Sequence, residues 1–296
     1  MSRFKFFEDQ VESEASSPGV ELKLHANDQL NARFAVKNHV CFYAMDQKVS
    51  DVRTDMVWLI KSIEDHPEGK IVDLGIESHE VFNANPALKE MIDFAKAFNY
   101  PMEKLVLQLD EQSRVAAVLN QQEIWERWND IKEDVLEPLK ASDQDRAVLE
   151  NGDKQFSSSL EAIKESLSYM LFFGPVCAKM SPSEEMLLAG GKVASHLFAG
   201  NHIPFQLKVT CLESGKENIS FKHQAQIDPY AVADFSKLYK KMYSELCGNT
   251  FDYEATLSAT YSYAFSSGLI NECTAVFSEK ANKGLRYESN YQIKMI

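Results

Sequence analysis

The sequence predicts an α+β protein: two mainly antiparallel sheet lobes, each with a covering helix, joined by a helical middle segment. Three observations carry that class. In the flanking thirds apolar residues recur at every second position, as in Ile203, Phe205, Leu207, Val209 and Cys211, which is the period of a half-buried strand. In the middle they recur every third or fourth position, as in Ile124, Trp128, Ile131, Val135 and Leu139, the period of a helix with one buried face. A Gly-Lys turn, a strand-like run and a Pro-initiated helix also occur twice, at Gly69 to Phe98 and at Gly215 to Leu246. An internal duplication of a β-β-α-β-β unit is an open reading of that pattern.

Taken in order, residues 1–19 form a polar arm, with Glu12, Glu14, Ser16, Ser17 and Pro18 and little to bury. The N-terminal lobe spans 20–120. Its strands are expected at Val20 to Leu24, Leu30 to Val36 and His39 to Met45. The apolar block Met56 to Ile60 is read as strand because it is β-branched and aromatic and runs into the Pro67-Glu68-Gly69 turn. Ile71 to Phe82 returns from that turn. A helix then starts at Asn85-Pro86, where Asn suits the N-cap and Pro the first helical position. A hairpin of Leu105, Leu107, Leu109 with Val115, Ala117, Leu119 closes the lobe.

The helical middle is placed at 121–200. Ser142 to Phe156 is its expected linker, being polar with Asn151, Gly152 and Asp153. Ser158 with Glu161, and Ser181-Pro182 with Glu184, have the spacing of capping boxes and mark two helix starts. The C-terminal lobe, 201–296, alternates most regularly. A helix from Asp228-Pro229 stands among its strands, and the longest run, Phe251 to Phe265, keeps its apolar residues to one face.

Composition bounds the function. With 31 Lys and Arg against 44 Asp and Glu, the formal charge is -13, a field that repels nucleic acid and anionic lipid. A macromolecular partner is expected to be a neutral or basic protein. The five cysteines are scattered without C-x-x-C pairing, which predicts reduced thiols and a cytoplasmic setting. The longest apolar run, Leu167 to Met180, is interrupted by Gly174-Pro175 and is too short to span a bilayer, so no membrane insertion is expected.

No readable chemistry is marked. Met186 to Val193 lacks the first Gly and the hydroxyl of a phosphate-binding loop, and no hydrolase, zinc-protease or dinucleotide motif occurs. No cofactor is therefore expected. His196 and His202 are six positions apart and match no metal-ligand spacing, so no metal site is expected either. His79, beside Glu77 and Glu80, is the most enzyme-like residue, but adjacent strand positions face opposite ways and a solvated strand face explains it. His223 lies on an apolar strand face and reads as a satisfied core histidine. No residue is assigned as catalytic.

Two surfaces remain. Glu126, Asp130, Glu133 and Glu137 lie on the polar side of one helix, as a solvated face or a docking surface for a basic partner. Phe235, Tyr239, Tyr253, Tyr261 and Tyr263 line a ligand pocket if the C-terminal helix stands off the sheet, and otherwise form core. The leading expectation is a non-catalytic interaction protein: an adaptor, a chaperone-like factor, or an inhibitor or immunity-type protein. The alternative is a carrier of an apolar small molecule in a sheet–helix pocket, and the third is an enzyme without a recognisable motif.

Overall fold

The computed structural model describes residues 22–83, 96, 98–134, 143–174, 180–181, 183–188, 191–227 and 232–296. The strands are β1 (Ala32–Ala44), β2 (Gln47–His66), β3 (Gly69–Asn83), β4 (Lys104–Leu109) and β5 (Val115–Val118) in the first part. The later ones are β6 (Glu185–Leu188), β7 (Lys192–Ala194), β8 (His202–Ser214), β9 (Asn218–Ile227), β10 (Glu254–Ala264), β11 (Ile270–Asn282) and β12 (Leu285–Met295). The fold is a mostly antiparallel sheet with a few helices, as the periodicities require.

The strands expected in two lobes lie in one sheet, ordered β5-β4-β3-β2-β1-β12-β11-β10-β9-β8-β6, with β7 also on β8. The join is β1 against β12, antiparallel from Phe34↔Met295 to Ala44↔Leu285. Each half would otherwise expose a long edge of unpaired N–H and C=O groups, and pairing the first strand with the last satisfies both. The β1–β2 register is set by a two-residue turn in which Met45 and Asp46 both have positive φ, 52° and 61°. Such turns match the strand twist and usually carry Asn-Gly, a cue absent from Met45-Asp46.

Among the described residues, four helices lie between the two outer edges of the sheet: α1 (Gln121–Asp134), α2 (Asp143–Ser157), α3 (Ser159–Glu165) and α4 (Leu167–Phe172). Helix α4 packs on the face that carries Phe34, Val36, Trp58 and Leu74, all essentially inaccessible. Phe172 stands edge-on to Phe34 with centroids 4.9 Å apart, and Trp58 touches both Phe172 and Tyr169. Helix α3 packs against both β5 and β7, strands near opposite edges of the sheet. The sheet is therefore curled, and α3 fills the seam.

Several local expectations change. The segment 142–156, expected as a linker, is the helix α2 from Asp143 onward. Its turn-forming residues serve the α1–α2 contact instead. A Cβ on Gly152 would sit 2.3 Å from Trp128 Cζ2, so only glycine admits the indole there. Asp153 accepts hydrogen bonds from Trp128 Nε1 at 2.8 Å and from Lys132 Nζ at 2.6 Å. At 181–184 one half of the capping-box pattern forms, since Ser181 N–H donates to the Glu184 carboxylate at 2.7 Å, while Glu184 N–H donates to the Ser181 backbone carbonyl at 3.0 Å. It leads into β6 and not a helix, because Glu185 to Leu188 pair with β8. Two further strands, β6 and β7, thus lie within the expected helical middle.

Leu22 to Ala26 does not join the sheet; it is tied by His25 N–H to Ser267 O at 2.9 Å. In the last third, the helix α5 (Phe235–Met242) begins at Phe235, with a short α6 (Ser244–Cys247) after it. Residues 1–19, the Asn85-Pro86 helix start, Val135, Glu137, Leu139 and Asp228-Pro229 lie outside the described residues. Among the described residues no helix is long and apolar enough to cross a membrane.

Candidate functional site: an apolar chamber at the seam

Where the sheet curls round α3 and α4, side chains from its two edges and its middle face one another across a cavity of about 510 Å³. β9 and β10 supply the floor through His223, Leu257, Ala259 and Tyr261, the inward positions of two alternating strands. Phe205 and Leu207 of β8 stand on one side and Val115 of β5 on the other. Ile163, Met170, Leu171 and Phe173 roof it. The space exists because small residues stand where large ones would fill it: Ala259 on the floor, and Gly191 beside Phe205. A chamber of this size, mainly apolar with few polar groups, is what small-molecule sites look like.

Charges are kept to the rim and mostly neutralised. Arg114 pairs with Asp110 at 2.9 Å. Lys192 of β7 pairs with Glu165 of α3 at 2.7 Å, and His202 Nε2 lies 2.8 Å from the same carboxylate. Burial pulls the Glu165 carboxyl up, but the Lys192 and His202 hydrogen bonds outweigh it and hold it below its ordinary value. These contacts fasten α3 to the β7–β8 edge and so hold the seam closed.

His223 is the polar group in the floor. It is 3% exposed, and its Nε2 is buried without a hydrogen-bond partner, so the core histidine that the sequence suggests is not a satisfied one. Its ring lies 4.5 Å from that of Tyr261. Burial pushes its pKa from 6.5 down to about 3. Because the folded value is depressed, the unfolded chain takes up the proton first as pH falls. Stability is full above about 6.5 and declines between there and about 3, by up to ~1.4 kcal/mol per pH unit. In urea titrations across that window, His223→Phe should lose less stability than the unaltered chain; identical slopes would contradict the neutral buried ring.

The five aromatic residues nominated from the sequence are divided. Tyr261 lines the chamber and Tyr263 a much smaller cavity beside Phe173 and Leu269. Phe235, Tyr239 and Tyr253 pack with Phe198 and Phe251 in a filled cluster, with Phe198–Phe235 centroids at 4.8 Å and Phe235–Tyr253 at 5.1 Å. Helix α5 contributes Phe235 and Tyr239 to this cluster, both buried. The cavity lies under α3 and α4 instead, and Ala259, a small residue between the inward-facing Leu257 and Tyr261, was its sequence signal.

On α1, Glu126, Asp130 and Glu133 are exposed while Ile124, Trp128 and Ile131 are buried. His79 is partly buried on β3, where Asn99 Nδ2 lies 3.2 Å from its Nδ1. Glu77 is turned to Arg33 in a two-point contact of 2.8 and 3.0 Å, so it does not orient the imidazole.

A curled antiparallel sheet closed by helices over an apolar chamber is the class that fold and site define. Among solved structures, the chain resembles one described as showing lipid–protein interactions in lipovitellin, with a TM-score of 0.50 and 9% identity. The match covers 90% of this chain and 25% of the lipovitellin chain, so it concerns the fold alone and a quarter of that protein's length. No protein-family model and no curated protein matches the sequence.

Proposed function

We propose that this protein carries an apolar small molecule in the chamber at the seam. The observation that carries the reading is a cavity of about 510 Å³ with a wall mainly of Leu, Ile, Val, Phe, Met and Ala side chains. Burying a lipid-like ligand against such a wall is worth ~25 cal/mol per Å² of apolar surface removed from water. The lipid–protein interactions named for lipovitellin, which shares the fold, support the same reading. The apolar fluorophore Nile red should bind with enhanced emission at one molecule per chain and be displaced by long-chain lipids. Absence of saturable binding would count against a carrier.

The exposed acidic face of α1 supports a second role, as the surface that docks a neutral or basic protein partner. Reversing Glu126, Asp130 and Glu133, with Glu137, to Lys should abolish partner co-purification while leaving Nile red binding unchanged; unaltered co-purification would remove that surface. The thiols of Cys41, Cys211, Cys247 and Cys273 are free, which supports a reducing, cytoplasmic setting. The two halves, β1–β5 and β6–β12, are then two meanders of one carrier sheet. Their origin by duplication rests on the Gly69 and Gly215 patterns alone.

A further inference from the structure

On the strands that join the two halves of the sheet, away from the chamber, His39 and Cys41 of β1 stand two positions apart and so share one face. Asp51 of β2 is the cross-strand partner of Cys41. The His39 Nε2, Cys41 Sγ and Asp51 carboxylate atoms all lie within 4.8 Å of one another. His39 Nε2 is 2.7 Å from Asp51 Oδ1 and 3.6 Å from Cys41 Sγ.

Both neighbours approach the same ring nitrogen. A thiol–imidazole–carboxylate relay needs them on opposite nitrogens, one to give a proton and one to orient the ring, so this arrangement is not a nucleophile. One nitrogen also carries at most one proton, which two partners can share only through a three-centre bond. Three unlike donors converging on a point is what a metal ion requires. With zinc–sulfur and zinc–nitrogen bonds of about 2.3 and 2.05 Å, a tetrahedral site has a sulfur–nitrogen edge of about 3.6 Å, and that separation is already present. The nitrogen–oxygen edge is about 3.3 Å in the same geometry, so the carboxylate has to withdraw by about 0.6 Å.

We propose that His39, Cys41 and Asp51 form a three-ligand site for a divalent transition cation of the zinc type. Imidazole, thiolate and carboxylate suit such ions and leave the fourth position to water. On binding, the Cys41 thiol releases its proton to solvent as the metal–sulfur bond forms, and the charges of thiolate and carboxylate balance the cation. The site is open to solvent through His39, 46% exposed, and Asp51, 38% exposed, with Cys41 beneath at 6%. Lys48 Nζ holds the other Asp51 oxygen at 2.6 Å, so it competes with the metal for that carboxylate. The spacing rules searched in the sequence miss this site because its third ligand comes from across a hairpin.

Titration of the full chain with Co²⁺ alone tests it. One equivalent should produce a sulfur-to-cobalt charge-transfer band in the near ultraviolet and visible bands of tetrahedral intensity, both bleached by Zn²⁺. Cys41→Ser should abolish the charge-transfer band, with circular dichroism showing the fold intact. His39→Ala should weaken binding at least about tenfold, since even losing a group behind a ligand costs that much. Lys48→Ala should tighten binding, a change that a purely structural hydrogen-bonded cluster does not predict. A silent Co²⁺ titration, or a charge-transfer band that survives in Cys41→Ser, overturns the assignment.

Discussion

Replacing Glu279 by Ala should lower the stability of the folded chain by about 3–5 kcal/mol, since each buried donor left without an acceptor costs ~1–3 kcal/mol. Glu279 is fully buried on β11. Its Oε1 accepts from Ser195 Oγ at 2.5 Å and Tyr253 OH at 3.1 Å, and its Oε2 from the backbone N–H of His196 at 2.8 Å and Leu197 at 3.2 Å. One side chain therefore anchors the 195–197 turn to the C-terminal sheet. Alanine leaves two buried donors, Ser195 Oγ and Leu197 N–H, and two part-buried ones, His196 N–H and Tyr253 OH, without that acceptor. Glu279→Gln should cost less, about 1–2 kcal/mol, because its carbonyl oxygen can take the two backbone N–H groups while its NH2 donates to hydroxyls turned round to accept. Burial pushes the Glu279 carboxyl above its ordinary value despite those donors. Its contribution is thus full below the unfolded value and declines as pH rises through the folded one. Urea midpoints for the two variants check the order; equal losses would mean that the network does not act through its acceptor count.

The second large effect concerns binding. Ala259→Trp should reduce Nile red affinity at least about a hundredfold, ~2.7 kcal/mol, without destabilising the chain. Ala259 is 2% exposed on the floor of the chamber, opposite His223 on β9 and Ala275 on β11. An indole there enters space that is otherwise unfilled, so it occupies the ligand's place and adds packing. Filling a cavity commonly raises stability by about 0.5–2 kcal/mol. A variant that is destabilised and still binds would place the ligand elsewhere. Phe235→Ala supplies the contrast: Phe235 belongs to the filled cluster under α5, and its loss should cost about 3–5 kcal/mol of stability with little direct effect on binding.

The strands were legible wherever one face is buried, because burial imposes a period of two on the residues themselves. The doubly ambiguous block Met56 to Ile60 resolved as β2 by its β-branched and aromatic content. What was not legible depends on partners distant in the chain. The pairing of β1 with β12 joins residues at opposite ends of the sequence, and nothing in either strand names the other. Gly152 and Asp153 looked like linker residues because their helical role is set by Trp128, across the α1–α2 contact. The cavity is a matter of which inward positions carry small side chains, and a stripe of tyrosines drew the reading to the filled cluster. His79 and Glu77 stand near each other in sequence, but Arg33 takes the carboxylate.

The most direct measurement is the mass of the intact, natively purified chain from its own host, followed by extraction of what it holds. The carrier account predicts a population heavier than the polypeptide by one apolar molecule, released by organic solvent and absent from Ala259→Trp prepared in parallel. Recovery of the bare polypeptide, which also takes up no lipid when lipids are supplied in solution, would contradict it.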